Sequence, residues 1–128
     1  MKSVLLLVEG CNYFRESLAH VVGQEEPHLE VRQAGSLAEG YACMAAGEVD
    51  AAVVCLLNGE ANEMIRKLHE ARPPVPALAL TLSGDPTGHA LALEAGAQEV
   101  LTKGASLEEI LAAVRRLWHN PLMRSSIY

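Results

Sequence analysis

The chain has 128 residues, enough for one domain with a single sizeable core, and half of them are apolar, which favours a folded globule over a disordered chain. A formal charge of −6, with no basic cluster beyond Arg115-Arg116, argues against nucleic-acid binding, which requires a basic face. Three cysteines, odd in number and without a CxxC pair, read as reduced thiols of a cytoplasmic protein.

The opening Met1 to Val8 is apolar, but Glu9 and Asn12 interrupt it. It has neither the small-residue cleavage site of a signal peptide nor the length to span a membrane. It reads instead as a buried first strand, Ser3 to Val8. A first helix follows from about Asn12 to Gly23, with Phe14, Leu18, Val21 and Val22 at helical spacing on one face. The half-polar alternation of Leu29 to Ala34 predicts an edge strand. Ser36-Leu37-Ala38-Glu39 is a capping-box pattern that opens a second helix, ending near Gly47.

Asp50-Ala51-Ala52-Val53-Val54-Cys55-Leu56 carries the third strand, Ala51 to Leu56. A third helix bears Met64, Ile65 and Leu68, and Pro73-Pro74 stops it before a fourth strand, Val75 to Leu82. Asp85-Pro86 supplies an N-cap and a first-turn proline for a fourth helix, with Gly96 as its stop. The fifth strand is Glu99 to Thr102. Ser106-Leu107-Glu108-Glu109 is a second capping box, opening a helix whose stripe is Leu107, Ile110, Leu111, Val114 and Leu117. Strands alternating with helices imply a parallel sheet covered on both faces, an α/β doubly wound fold.

In such a sheet, chemistry gathers beyond the carboxyl ends of the strands. Glu9-Gly10, Cys55, Thr81 and Lys103 all fall there. This set resembles the receiver domain of bacterial two-component response regulators. In that family the first strand is followed by two acidic residues, the third ends in a phosphoryl-accepting Asp, the fourth in Thr or Ser and the fifth in Lys. The likeness covers roughly residues 3–118. Ala95-Gly96-Ala97 through Lys103-Gly104-Ala105-Ser106, with Val8 and Phe14 to Leu18, is similar to the NarL/FixJ class. The resemblance implies a CheY-like, flavodoxin-like sheet of five parallel strands in the order 2-1-3-4-5, a receiver-like domain over residues 1–118, and a short tail over 119–128.

Thr81 and Lys103 match the family, but the acceptor position holds Cys55 and the second acidic position Gly10. Val100 stands at the aromatic switch position, Leu82 replaces the small residue after the Thr, and Gly59 sits where Pro is common. Aspartyl phosphorylation needs a carboxylate nucleophile and a divalent cation held by hard oxygen ligands. Gly10 offers no side chain and Cys55 a soft sulfur. The residues therefore predict a degenerate phosphoacceptor pocket (Glu9, Gly10, Cys55, Thr81 and Lys103) with no metal, no cofactor and no enzymatic activity. Asp50 opens its strand at the wrong end of the sheet and Asp85 lies in the loop before the fourth helix, so neither replaces the acceptor.

Each of these residues also has a plain reading. Cys55 is read as a small core filler in preference to a thiol activated by Lys103. Glu9 is read as the ion-pair partner of Lys103, and Thr81 as an ordinary β-former. His20, His28, His69, His89 and His119 are scattered and read as surface residues, and Met44 and Met64 as core. Trp118 continues the stripe of the last helix, where it either caps the core or, with Leu117, anchors a partner.

The expected function is an atypical receiver that binds a protein partner, a signalling or transcription component. It is expected to pair as a homodimer on the face of helix four, strand five and helix five, with no role at nucleic acid or membrane. The alternative is a small-ligand or redox sensor built on Glu9, Cys11, Cys55, Thr81 and Lys103.

Overall fold

The computed structural model describes residues 2–56, 59–82 and 86–119. Along the chain they form β1 (Ser3–Val8), α1 (Asn12–Glu25), β2 (Leu29–Ala34), α2 (Leu37–Ala46), β3 (Ala51–Leu56), α3 (Gly59–Glu70), β4 (Ala77–Thr81), α4 (Pro86–Ala95), β5 (Glu99–Thr102) and α5 (Leu107–Leu117). The strands make one parallel sheet in the order β2-β1-β3-β4-β5, as the sequence implied. Val8 lies beside Ala34 on one side and Val54 on the other, Cys55 beside Leu80, and Thr81 beside Thr102. This register brings the carboxyl ends of all five strands to one rim.

Period-two alternation divides each central strand between two cores. Leu5, Leu7, Val53, Leu78 and Leu80 face α1 and α5, where Leu18, Val22, Ile110, Val114 and Leu117 meet them. Leu6, Val8, Val54 and Ala79 face α2, α3 and α4, where Met64, Ile65, Leu68 and Ala92 close the second layer. Because both faces are covered, β1, β3 and β4 read as near-continuous apolar runs.

The capping box of α5 is formed: the Ser106 hydroxyl accepts from Glu109 N, and the Glu109 carboxylate accepts from Ser106 N. At α2 only half of the box is formed. Ser36 accepts from Glu39 N at 3.1 Å, while the Glu39 carboxylate reaches past the cap to Gly35 N at 2.7 Å. Gly47 and Gly96 end their helices with positive φ, as read.

Three expectations are corrected. α1 runs past Gly23 to Glu25, since a helical glycine lowers helix propensity without ending the helix. β4 starts at Ala77, not Val75, and ends at Thr81, because Val75 N bonds Leu68 O at the end of α3, Pro76 has no N–H, and Leu82 turns outward. Leu107 is 44% exposed; at the first turn of α5 it lies over the edge of the core, and the buried stripe starts at Ile110. Asp85, the expected N-cap of α4, and the tail from residue 120 lie outside the described residues.

Candidate functional site: a rim closed by its own ion pair

Glu9 follows β1 directly and hydrogen-bonds through its N–H to Ala34 O, which extends the β1–β2 ladder by one residue. Its side chain turns into the rim and is buried, as are Cys55 and Thr81. The Lys103 ammonium comes from the end of β5 to Glu9 Oε1, a direct ion pair between side chains 17% and 1% exposed. The same ammonium lies 4.5 Å from the centroid of the Phe14 ring, a cation–π contact from α1. The backbone N–H of Lys103 donates to Thr81 O at 2.7 Å, which fixes the start of the loop that carries the ammonium. The structure thus brings Glu9, Cys55, Thr81 and Lys103 together, and the ion pair chosen for Glu9 is present.

The charge balance decides what the rim can do. One carboxylate oxygen is committed to Lys103. The other, Oε2, is buried and finds no hydrogen-bond partner among the described residues. Burial first, and the negative charge of Glu9 second, push the Cys55 thiol well above the ordinary thiol value, and the charge of Lys103 opposes them without prevailing. Cys55 is thus held neutral, the opposite of the depressed pKa that nucleophilic thiols need. The Thr81 hydroxyl donates to Leu101 O at 3.5 Å, a long bond toward β5.

Gly10 is exposed. Beside it lies a cavity of about 110 Å3 lined by Val8, Glu9, Gly10, Gly35, Ser36, Leu37, Cys55 and Ala61. The donor set does not fit Mg²⁺, which takes oxygen ligands in near-octahedral array. Gly10 and Cys55 supply no side-chain oxygen, and Glu9 has one oxygen left. Among the described residues no group of three or more His, Cys, Asp or Glu could hold a metal ion.

Arg15 escaped the sequence reading. Its guanidinium donates to Glu9 O at 2.8 Å and to Gln33 Oε1 at 3.2 Å, tying the loop after β1 to the edge strand. A basic residue one turn into α1 was the only available signal. The Phe14–Lys103 contact joins positions far apart in sequence, so no local pattern announces it.

Val100, which the resemblance set at the switch position, is buried against the α2–α4 core. Leu117 is fully buried in the α1–α5 core, so it offers no surface. Trp118 is half-buried against the same core. The exposed apolar residues of the α4 side are instead Leu91 and Leu93, which the sequence reading did not single out. All five histidines are exposed, Met64 is buried and Met44 packs half-buried against the α2–α4 core. Cys11 is exposed and Cys55 buried, each a free thiol. Asp50 caps the opposite end of the sheet, its Oδ2 accepting from Val4 N at 2.7 Å.

No protein-family model matches the chain, and no curated protein matches it significantly. Solved structures do. A CheY-like receiver domain from Methanospirillum hungatei superposes with a TM-score of 0.82 at 20% identity, over 93% of this chain and 96% of that one. An orphan response regulator of H. pylori gives 0.79 at 17% identity, over 91% and 98%. A response regulator from Burkholderia pseudomallei, solved with a phosphorylated aspartic acid, calcium ion and citrate, gives 0.77 at 25% identity, over 92% and 70%. The strand order, the placement of the five helices and these neighbours together show that the chain has the CheY-like receiver fold of response regulators.

Proposed function

We propose that this chain is a receiver-fold signalling module that acts by protein contact, without aspartyl phosphorylation and without catalysis of its own. One observation carries this reading: the lysine that would meet a phosphoryl group is already neutralised by Glu9, beside a buried neutral thiol at the acceptor position. In receivers that are phosphorylated, the modification biases a two-state surface at α4, β5 and α5. With the trigger chemistry replaced by an internal ion pair and Val100 buried, that surface stays in one arrangement and recognises its partner directly.

The partner we favour is a second copy of the chain, meeting α4, β5 and α5 with the same face, since two-fold pairing is the commonest oligomeric state. Leu91, 48% exposed, supplies apolar contact on α4, while Leu93, two residues on, turns to the α3 side beside His69 and Val75. The bidentate Arg116–Glu99 ion pair fixes the α5–β5 edge of that face. The net charge of −6 makes a protein partner a better fit than nucleic acid. No helix among the described residues is long and apolar enough to cross a membrane, and we place the module in the cytoplasm.

Sedimentation equilibrium at tens of micromolar tests the pairing. A dimer that is lost in Leu91→Ser, and is unaltered by acetyl phosphate with Mg²⁺, supports the proposal. A monomer at that concentration rejects self-association, and a phosphodonor-dependent dimer rejects independence from phosphorylation.

A further inference from the structure

We infer that the cavity between the carboxyl ends of α3 and α4 binds an alkyl cation, a guanidinium carried on a short aliphatic stem. The site lies at the amino ends of β4 and β5, away from the rim, so the inference goes beyond the contact role proposed above. The cavity measures about 400 Å3 and is walled by His69, Pro74, Val75, Pro76, Leu93 and Glu94, with the turn 96–98 completing it. Two independent observations give it a chemistry: its lining accepts hydrogen bonds but scarcely donates them, and two helices end on it.

The backbone N–H groups of Val75, Gly96, Ala97 and Gln98 are already engaged, by Leu68 O, Leu93 O, Ala92 O and Ala77 O. Pro74 and Pro76 have no N–H. The Gln98 amide donates to Arg116 O at 3.0 Å, which leaves one ring N–H of His69 as a donor. Glu94 is exposed, has no ion pair among the described residues, and is the one carboxylate of the lining, which contains no Lys or Arg. Arg116, beside Gln98, is itself paired with Glu99.

Both helices point the negative end of their macrodipole this way. At α3 the chain answers that end itself: Lys67 stands in the last turn, and the Arg72 guanidinium donates to Glu70 O and Ala71 O. The last turn of α4 holds no basic residue. A guanidinium from outside does at α4 what Arg72 does at α3, and its flat array of donors suits carbonyls and a carboxylate together. An anion would meet Glu94 and the helix end. A metal ion would lack ligands, since among the described residues no group of three or more His, Cys, Asp or Glu could hold one. Val75, the prolines and Leu93, 44% exposed, provide the apolar wall for the stem.

Methyl-resolved NMR of the full chain at low salt, titrated with butylguanidinium, tests this. The inference predicts saturable shifts confined to the methyls of Val75, Leu93 and Ala97. Butylurea, a neutral molecule of the same shape, should bind about tenfold more weakly or worse. Glu94→Gln should weaken butylguanidinium about threefold, the scale of an exposed charge pair, while Glu108→Gln, at an exposed carboxylate on α5, should leave it unchanged. The peptide acetyl-Gly-Arg-Gly-amide separates two sources of the same group. Binding as tight as butylguanidinium assigns it to an arginine side chain of a protein, and weaker binding to a free molecule. Shifts that rise linearly or spread over the molecule would overturn the inference, because the net charge of −6 would then attract any cation. Equal affinity for butylurea, or an affinity unchanged by Glu94→Gln, would overturn it too, by showing an apolar hollow without charge selection.

Discussion

Lys103 is held from three directions: by the Glu9 carboxylate, by the face of Phe14, and by the backbone bond of its own N–H to Thr81. Removing one partner of a buried pair leaves the other charge uncompensated, which costs about 3–5 kcal/mol. Because the Lys103 side chain keeps some access to water, Glu9→Gln is expected at the lower end, about 3 kcal/mol in denaturant unfolding. Lys103→Met added to Glu9→Gln should recover most of that loss, since a buried pair replaced by uncharged side chains is often neutral. A loss below about 0.5 kcal/mol for the single variant would show a solvated, weak pair.

Cys55 makes a pH prediction with a definite sign. Its folded pKa lies above the unfolded value of 9.0, so its contribution to stability is complete below pH 9.0. Above that pH the unfolded chain ionises the thiol while the folded chain does not. Stability should then fall by at most about 1.4 kcal/mol per pH unit from this group. The same titration of Cys55→Ala should show a shallower alkaline loss, and equal slopes would contradict the burial argument. In the native protein at neutral pH, Cys55 should label with a thiol reagent far more slowly than exposed Cys11.

At the scale of the elements, the turn from α4 into β5 depends on a glycine. Gly96 has φ +114°, and a Cβ there would lie 2.7 Å from Cγ of His69 on α3. Gly96→Ala should therefore cost about 1–3 kcal/mol. His69→Ala in that background should return only a fraction of the loss, because the His69 Cβ, 2.8 Å from the added methyl, and the backbone strain both remain. Gly40 is a contrast. It is helical without a positive φ, and a Cβ there would meet the Met64 methyl at 2.8 Å and Val8 Cγ2 at 3.2 Å, both buried, so alanine should cost about 1 kcal/mol by overpacking, with no backbone strain.

The elements were legible because local signals and burial agree in this chain. The apolar runs Val4–Val8 and Ala51–Cys55 can be buried on both faces only in a covered parallel sheet. Ser106 with Glu109 announces α5 before its stripe begins. β4 was misjudged at both ends because Val75 and Leu82 suit a strand by type, while their backbones are committed elsewhere. The site was half legible. Glu9, Cys55, Thr81 and Lys103 announce themselves by standing at strand ends. Arg15, the Phe14 ring and the cavity arise from contacts across the fold, which no spacing rule encodes. Leu117 shows the limit of a stripe: periodicity places a residue on the inner face but does not say where the core stops and a partner begins.

For the whole molecule, the neighbours share the receiver fold. Fold alone does not assign function. The rim holds a buried Glu9–Lys103 ion pair, and under the proposed function the expected consequence is a single state whose partner affinity is set by α4, β5 and α5. Leu91→Ser should weaken the proposed dimer by at least tenfold in sedimentation while leaving the unfolding midpoint within a few degrees, because the side chain is substantially exposed.

The most direct test is the intact mass of the protein after incubation with acetyl phosphate and Mg²⁺. The account predicts no added mass in the native chain, since Cys55 is buried and neutral and Gly10 supplies no metal ligand. A Mg²⁺-dependent gain of one phosphoryl group, mapped to a residue of the rim, would contradict it.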